Sequence, residues 1–260
     1  MSALLEAKQV SKHFGGLKAV DSVDMTINKG DIFGIIGPNG AGKTTFFNMC
    51  SGIYPITSGE IWLDGENITN MHSEVIARKG MARTFQNIQL FKYMSVLENV
   101  KIGFHINTKT RLWDSILHSS TYKKDEKLAE EKGLEILERV GLTEFKDTMA
   151  GNLSYGVQRR VEIARALALN PKILLIDEPA AGMNNDETKD LINFLSKLHK
   201  DTGITIVLIE HHLDVVMELC KNIMVLNLGS TLAYGNPKEI LYILTFPIFP
   251  SEMIFLIEVS

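Results

Sequence analysis

The chain has 260 residues, of which 45% are hydrophobic and 22% are charged, and its formal net charge is −4. This length can bury a sizeable core as one large domain, and the composition is ordinary for a globular protein. Nucleic-acid backbones bind to a basic protein face, and the negative net charge gives no sign of one, so no nucleic-acid partner is expected. Cys50 and Cys220 lack metal-ligand spacing, which favours a reducing compartment.

The first third of the chain alternates short strand-like runs with turns. The runs are LLEAKQV, SVDMTIN, DIFGIIG and GEIWLDG, and their limits are marked by Gly30, Gly59 and Gly65. The first ten residues, MSALLEAKQV, have no cationic region followed by a long apolar run. We therefore do not expect a signal peptide there.

A glycine-rich turn, GIIGPNGAGKTT, follows the third of these runs and opens a predicted helix. Its glycines let successive backbone N–H groups point at a phosphate, and the helix adds the positive end of its dipole. Lys43 is expected to reach the β- and γ-phosphates, and the Thr44 hydroxyl to ligate Mg²⁺. The candidate nucleotide-binding residues of this loop are Gly37, Pro38, Asn39, Gly40, Ala41, Gly42, Lys43, Thr44 and Thr45.

The middle of the chain is helical. STYKKDEKLAEEKGLEILERVGL places apolar residues at helical spacing among dense charge, which predicts an amphipathic helix ending near Gly141. In NLSYGVQRRVEIARAL, Ser154 can cap a helix, and Gly156 leaves bare backbone at its first turn. Such a helix start can hold an anion, although an ordinary capped helix has the same pattern.

The final third alternates buried strands with helices: KILLID, DETKDLINFLSKLHK, ITIVLIE, HLDVVMELC and NIMVLNL. Alternation of this kind predicts βαβ units on a parallel sheet. The predicted fold class is α/β, with a P-loop NTPase core of mainly parallel sheet and flanking helices, an antiparallel β-subdomain and an inserted helical subdomain. We assign the core and β-subdomain to residues 1–86 and 166–240, the helical subdomain to 87–165, and an apolar tail to 241–260, all within one domain.

Two carboxylates, Asp177 and Glu178, end the buried strand of KILLIDEP. They lie where α/β sheets bind ligands, so Asp177 can hold Mg²⁺ and Glu178 can polarise the water that attacks a γ-phosphate. An isolated Asp-Glu pair is commonly a solvated turn, but beside a phosphate loop it indicates a nucleoside triphosphatase. Kinases, GTPases and helicases share both features, so these two motifs alone do not separate those classes.

LSYGVQRR, placed shortly before KILLIDEP, resembles the signature motif of the ATP-binding cassette family, and the resemblance covers most of the chain. It implies that two cassettes meet head to tail in an isologous dimer. In this arrangement Ser154, Tyr155 and Gly156 would contact the nucleotide held by the partner cassette. The chain has Val157 where the family usually has Gln, which removes one polar contact, although Gln158 follows.

Two further motifs resemble the family at matching positions. ARTFQNIQLF is similar to its glutamine loop, which implies that Gln86 reaches Mg²⁺ and the attacking water. LIEHHLDVV implies that His211 is the switch histidine that contacts the γ-phosphate. His212 stands where the family commonly has Asp, and we give it no role. Asn184 likewise replaces the usual Asp of the family's aspartate loop.

The adenine site is expected in SKHFGGLKAV, where the resemblance places Phe14 to stack on the base and Val20 against it. A phenyl ring supplies the flat apolar face that stacking needs. Core packing is an equally good interpretation of Phe14 from its residue type alone.

Longer strings, including IGPNGAGKTTFFNMCSGIYPITSGEIWLDG and EPAAGMN, resemble the ATPases of branched-chain amino-acid importers. This resemblance implies ATP hydrolysis at the cytoplasmic face of a bacterial or archaeal plasma membrane, driving uptake of hydrophobic amino acids. The implied partners are two transmembrane permease subunits, a second related ATPase subunit or a second copy of this chain, and indirectly an extracytoplasmic substrate-binding protein. GFHINTKTRLWDSILHSSTYKKDEK resembles an insertion found in one of that importer's two ATPase subunits.

The permeases are expected to dock on the helical subdomain near Gln86, at a surface including Phe91, Tyr93 and Met94, unless these residues form core. The apolar run ILYILTFPIFPSEMIFLIEV contains Pro247 and Pro250, so we expect it to pack on the domain or a partner rather than span a membrane.

Two other classes of protein remain as alternatives. The first is a soluble cassette ATPase of translation or DNA repair, but this chain has neither a second cassette nor a long coiled-coil insertion. The second is a regulatory module switched by nucleotide without turnover. Glu178 and His211 argue against the second, and Val157 argues mildly for it.

Overall fold

The structure is a computed structural model that describes residues 3–104 and 120–245. The chain forms two compact units. The first contains the described residues up to Gln86 together with those from Lys172 onward, and the second is Asn87–Pro171. The second unit begins at the predicted boundary, but it extends past residue 165 because its last helix continues to Leu167 and a turn follows.

An antiparallel sheet of four strands lies in the first unit, in the order β2-β1-β4-β5. Its strands are β1 (Ala3–Phe14), β2 (Leu17–Asn28), β4 (Ser58–Leu63) and β5 (Glu66–Asn67). The central strand β1 pairs Val10 with Val23 of β2 and Ala7 with Ile61 of β4. These side chains are buried, so this face of the sheet contributes to the core.

A second sheet in the same unit has six strands in the order β10-β9-β3-β8-β7-β6. They are β3 (Ile32–Ile36), β6 (Met81–Arg83), β7 (Ile173–Asp177), β8 (Thr205–Ile209), β9 (Asn222–Asn227) and β10 (Ser230–Gly235). All pairings are parallel except that of β9 with β10. The carboxyl ends of β3, β6, β7 and β8 therefore lie at one edge, where such sheets bind ligands.

Five helices accompany these sheets: α1 (Lys43–Cys50), α2 (Ser73–Arg78), α6 (Asn185–Thr202), α7 (Leu213–Leu219) and α8 (Pro237–Thr245). Phe46 and Phe47 of α1 are fully buried in a hydrophobic core shared by both sheets. Because α1 is fixed in this core, the loop that precedes it has a defined position relative to the strand ends.

The second unit is helical, with α3 (Val96–Phe104), α4 (Ser120–Arg139) and α5 (Tyr155–Leu167) and short 3₁₀ turns between α4 and α5. Helix α3 packs against α4 and α5. The predicted end of the amphipathic helix is confirmed, because α4 ends at Arg139 and Gly141 follows with φ +70°. Such a residue favours the end of a helix.

The predicted α/β fold class is confirmed by these two sheets and their helices. None of the helices in the described ranges has the length and hydropathy needed to cross a membrane. Residues 105–119 of the predicted insertion and residues 246–260 of the predicted apolar tail lie outside the described residues.

Candidate nucleotide site

The loop between β3 and α1 has the geometry of a phosphate cradle. Lys43 is buried, and its Nζ donates to the carbonyl oxygens of Gly37 at 2.5 Å and Pro38 at 3.1 Å. Helix α1 starts at Lys43, and within the described residues no side chain caps its N-terminus. Its first backbone N–H groups are therefore available to an anion.

Two glycines of this loop cannot be replaced without a clash. A Cβ on Gly37 would lie 2.2 Å from the Leu226 carbonyl oxygen, and one on Gly42 would lie 2.4 Å from the Ala19 carbonyl oxygen. Gly42 also has φ +97°, a conformation that favours glycine. The loop therefore packs its backbone directly on neighbouring backbone.

Carboxylates face Lys43 from the strand ends. Burial lowers the pKa of Lys43, and the charges of Glu178, Asp177 and Glu210 oppose that shift. The Lys43 ammonium group therefore lies near carboxylates, and a bound phosphate would be a further acidic partner for it.

Asp177, the last residue of β7, is buried and paired with a cation. Arg83 Nη2 donates to Asp177 Oδ2 at 2.9 Å. Burial raises the pKa of Asp177, and the charge and hydrogen bond of Arg83 oppose this rise. Among the described residues, the Asp177 carboxylate accepts a hydrogen bond from Arg83 through Oδ2. Its other oxygen, Oδ1, can therefore still bind a cation.

Glu178 follows in a strained backbone conformation, with φ +44°. Its amide donates to the Ile209 carbonyl oxygen at 2.9 Å, which fixes the residue against β8. Gln86, three residues after the end of β6, donates from Nε2 to Glu178 Oε2 at 2.7 Å. The predicted catalytic glutamate and glutamine are thus in direct contact.

His211 and His212 follow β8 beside a fully buried carboxylate, Glu210. Glu210 Oε2 accepts the backbone N–H groups of His211 at 3.1 Å and His212 at 3.4 Å. It also lies 3.3 Å from His212 Nδ1, and this interaction, ahead of other charges nearby, raises the pKa of His212. His211 is more exposed, with 43% of its side chain accessible.

Asn184 has a local structural role. Its Oδ1 accepts the backbone N–H groups of Asp186 and Glu187, and the Glu187 carboxylate accepts the Asn184 N–H, which completes a capping box on α6. An aspartate could form the same cap, so the replacement keeps the helix start intact.

The residues expected at the adenine differ in exposure. Phe14 is 45% exposed, with Lys12 Nζ 4.9 Å from its ring centre and Tyr54 edge-on at 5.6 Å. It therefore has a free surface for stacking. Val20 is completely buried, and its side chain lies 3.4 Å from the position of a Cβ on Gly42. The expected contact of Val20 with the base is not seen, because Val20 has no accessible surface. Its side chain instead packs against the phosphate loop at Gly42.

The signature residues lie in the second unit, at the start of α5. Ser154 is the N-cap residue, as predicted, but within the described residues its side chain makes no capping hydrogen bond. No described atom lies within 4 Å of the position of a Cβ on Gly156. Tyr155 receives a hydrogen bond from Arg159 at 3.1 Å, and Arg159 pairs with buried Glu162 at 2.8 Å. The exposed helix start is thus connected to a buried ion pair.

The neighbouring amide does not replace the missing glutamine. Gln158 Nε2 donates to the Leu153 carbonyl oxygen at 2.8 Å, so it closes the turn before α5. Val157 is half-buried beside it. The loss of one polar contact to a partner cassette at Val157 stays a prediction.

An exposed segment of the second unit carries the residues expected to meet a permease. Tyr93 is 93% exposed and Phe91 is 52% exposed, while Met94 is half-buried. Together with Leu90 and Lys92 they line a shallow cavity of about 350 Å³. Phe91 and Tyr93 are therefore surface residues and not core.

The oxygen donors near the phosphate loop fit Mg²⁺. Thr44 has an exposed side chain at the first turn of α1, and Asp177 has a carboxylate oxygen to offer. Hydroxyl and carboxylate oxygens are the ligands that Mg²⁺ prefers, usually together with nucleotide phosphates and water.

The parallel sheet, the phosphate loop after β3 and the acidic pair at the end of β7 define a P-loop protein that binds nucleoside triphosphates. A family model described as ABC transporter matches residues 20–181. The chain therefore belongs to the ABC transporter family, and it is a nucleotide-binding ATPase of that family.

Three curated relatives illustrate the match. The chain is 44% identical to the high-affinity branched-chain amino acid transport ATP-binding protein BraF of Pseudomonas aeruginosa, over 91% of this chain and 93% of that protein. It is 41% identical to the corresponding protein LivG of Escherichia coli, over the same shares. It is 38% identical to a probable LivG of Methanocaldococcus jannaschii, over 91% of each chain.

Solved structures agree with the fold. An ATP-binding cassette of an ABC transporter in its ADP conformation matches with a TM-score of 0.85 and 35% identity, covering 100% of both chains. A dimeric bacterial ABC transporter cassette matches with a TM-score of 0.74 and 26% identity, covering 90% of this chain and 99% of that one.

Two residues of the site, Arg83 and Glu210, are absent from the sequence-based predictions. Each is a charged residue at the end of an apolar strand, and a buried charge needs a partner. That signal was present in GMARTF and ITIVLIE, but only the fold identifies the partners as Asp177 and the backbone around His211.

Proposed function

We propose that the chain is the ATP-hydrolysing subunit of an importer for branched-chain amino acids, bound peripherally at the cytoplasmic face of a bacterial or archaeal plasma membrane. The amino-acid class is supported by the names of relatives that are 38–44% identical over nine-tenths of the chain. The observation that carries the ATPase mechanism is the contact of Gln86 with Glu178, a residue whose charge acts on Lys43 of the phosphate loop.

ATP binding is assigned to the phosphate loop and Phe14. Backbone N–H groups of the loop from Asn39 to Thr45 would surround the β- and γ-phosphates, with Lys43 exchanging its present carbonyl partners for phosphate oxygens. Phe14 would cover one face of the adenine, with Lys12 beside its ring.

Hydrolysis is assigned to Glu178, supported by Gln86 and His211. The Glu178 carboxylate would accept a proton from the attacking water, and its hydrogen bond from Gln86 fixes its orientation. His211, next to the buried Glu210, would donate to the γ-phosphate. Thr44 and Asp177 would hold Mg²⁺, with Gln86 within reach of it, and the ion would supply positive charge that offsets the charge developing during phosphoryl transfer.

A second cassette would complete the site. Ser154, Tyr155 and Gly156 present an exposed helix start, and α5 has thirteen residues, so its dipole can act on a partner's γ-phosphate. The partner is a second related ATPase subunit or a second copy of this chain. A related bacterial ABC transporter cassette, at 26% identity, forms a dimer in its solved structure, which supports the pairing of two cassettes.

Coupling to transport is assigned to the exposed segment around Phe91, Tyr93 and Met94. Aromatic and methionine side chains are frequent at the centre of protein interfaces. Two permease subunits would bind here, while an extracytoplasmic substrate-binding protein would select the amino acid without touching this chain.

The decisive experiment compares the unmodified chain with Glu178→Gln. We expect the variant to bind ATP and form a stable dimer in light scattering, while ATP turnover falls by at least a hundredfold. A variant that hydrolyses ATP at the unmodified rate would refute the assignment of Glu178. The transport claim is tested separately in proteoliposomes with permeases from the same genome, where ATP should drive uptake of leucine, isoleucine or valine and not of lysine.

A further inference from the structure

Arg83 is a buried arginine at the end of β6, which pairs with β7, whose first four residues are apolar. Its side chain is 8% accessible, and that of its partner Asp177 is 4% accessible. Burial of a charge in such a place is costly unless it is paired. Both terminal nitrogens of Arg83 have acceptors, whereas its buried Nε has none among the described residues. The residues that the guanidinium contacts therefore indicate what Arg83 stabilises.

Those contacts join two elements of the nucleotide site. Arg83 Nη2 donates to Asp177 Oδ2 at 2.9 Å. Its Nη1 donates to Asn48 Oδ1 at 2.6 Å and to Ser51 Oγ at 3.0 Å. One guanidinium thus connects the end of β7 to the second half of α1 and its end.

Aromatic rings hold the guanidinium in place. Its central carbon lies 5.7 Å from the ring centre of Phe47 and 5.5 Å from that of Phe85. These contacts stabilise a cation and restrict its rotation. A lysine could supply the charge but not this planar set of donors.

Two of the residues expected at Mg²⁺, Thr44 and Asp177, are attached to elements that Arg83 connects. Thr44 lies in the first turn of α1. Asn48 in the same helix and Ser51, the C-cap residue that follows it, both accept hydrogen bonds from Arg83. Asp177 is oriented through Oδ2, so its Oδ1 has a fixed direction. Mg²⁺ requires nearly ideal octahedral geometry, so the positions of its protein ligands matter more than for a larger cation.

We propose that Arg83 is a positioning residue for Mg²⁺ with nucleotide: it fixes the Asp177 carboxylate and its distance from Thr44 without touching the metal or the nucleotide. The inference rests on the proposed function, because it assumes that Thr44 and Asp177 hold the ion. It adds a residue that acts one contact away from those ligands. Residues in this position commonly change metal affinity when they are replaced.

The test measures binding of a fluorescent ADP analogue to the full chain, first in EDTA and then over a series of Mg²⁺ concentrations. For Arg83→Gln we expect the Mg²⁺ concentration at half-saturation to rise by about 10- to 100-fold. Metal-free affinity for the analogue should stay within about twofold, because the phosphate loop is unchanged. For Arg83→Lys, the Mg²⁺ concentration at half-saturation should lie between those of the unmodified chain and Arg83→Gln, since lysine keeps the charge and loses the planar donors.

Controls separate this effect from a general loss of structure. Lys221→Met removes an ion pair to another buried aspartate, Asp31, at the opposite end of the same sheet. It should leave the Mg²⁺ response unchanged. Should Arg83→Gln fail to fold, as judged by thermal unfolding, Arg83→Lys decides the question. An equal loss of affinity with and without Mg²⁺, or no loss in either, would overturn the proposal.

Asp177→Asn distinguishes this inference from the function on which it rests. If that variant loses the Mg²⁺ response and the Arg83 variants keep it, only the positioning role of Arg83 fails. If Asp177→Asn also keeps the response, the assignment of Asp177 fails and the proposal fails with it. In the double variant, Arg83→Gln should add no further change in Mg²⁺ dependence, because Arg83 acts through Asp177.

Discussion

Glu210 and Ala180 connect two loops of the nucleotide site. The buried Glu210 carboxylate accepts the Ala180 N–H through Oε1 at 2.9 Å, while its Oε2 accepts the N–H groups of His211 and His212. Ala180 follows Glu178 by two residues, so a single side chain fixes the loops that carry the proposed base and the proposed switch histidine. Movement of one loop is thereby linked to the other.

Replacing Glu210 with Gln should lower both stability and ATP turnover. One acceptor oxygen becomes an NH₂ group that faces a backbone N–H, which leaves a buried donor unmatched at a cost of about 1–3 kcal/mol in the free energy of unfolding. We expect ATPase activity to fall by about tenfold or more while Lys43-dependent nucleotide binding persists. Urea unfolding and steady-state ATPase assays measure the two effects. Glu218→Gln, at an exposed position on α7, is the matched control, and equal behaviour of the two variants would contradict the linking role of Glu210.

Gly42→Ala tests the packing of the phosphate loop. The new methyl group would lie 2.4 Å from the Ala19 carbonyl oxygen at a residue with φ +97°. We expect a loss of about 1–3 kcal/mol in the free energy of unfolding from backbone strain. Nucleotide affinity should fall by about tenfold or more because the loop must shift.

The comparison for Gly42 is Gly141→Ala. Gly141 also has positive φ, but no described atom lies within 4 Å of its Cβ position. This variant should lose stability through strain alone and keep its nucleotide affinity. Normal nucleotide binding by Gly42→Ala would show that the loop tolerates displacement.

Sequence patterns predicted the parallel sheet and the phosphate loop because both depend on local signals. A buried apolar strand followed by glycines and a helix start is recognisable in DIFGIIGPNGAGKTT without knowledge of any partner. The same holds for Asp177 and Glu178, whose position at a strand end follows from the apolar run before them.

The contacts that complete the site were not predictable in this way, because they join residues distant in sequence. Arg83 and Asp177 are 94 residues apart, and Ala180 and Glu210 are 30 apart. Only the strand order β8-β7-β6 brings them together. For Val20 the sequence was misleading in another way, because an apolar side chain can pack equally well against a base or in a core. The complete burial of Val20 shows that it belongs to the core.

Gly156→Ala should separate stability from dimerisation. No described atom lies near its Cβ position, and alanine favours a helix more than glycine by about 1 kcal/mol, so stability should stay equal or rise. The methyl group would nevertheless occupy space at the helix start that a partner's phosphate must approach. In a Glu178→Gln background, we expect ATP-dependent dimerisation to weaken by about tenfold, measured by light scattering. Unchanged dimerisation would remove Gly156 from the proposed interface.

His212 should make stability depend on pH. Its hydrogen bond with Glu210, the largest cause, raises the pKa of His212 above the ordinary value of 6.5, so the folded state binds this proton more tightly than the unfolded chain. The resulting stabilisation is fully present below that ordinary value and is lost as pH rises through the raised pKa. Asp214 and Glu178 shift the pKa of His212 in the same direction, whereas burial opposes them.

Replacement of His212 by Gln should remove this dependence. In urea unfolding, the unmodified chain should exceed His212→Gln in the free energy of unfolding at about pH 5.5, and the difference should shrink by about pH 8.5. His72→Gln, at an exposed histidine before α2, controls for the general effect of replacing a histidine by glutamine. A difference between the unmodified chain and His212→Gln that grows with pH would mean that folding favours the neutral imidazole, contrary to the geometry around Glu210.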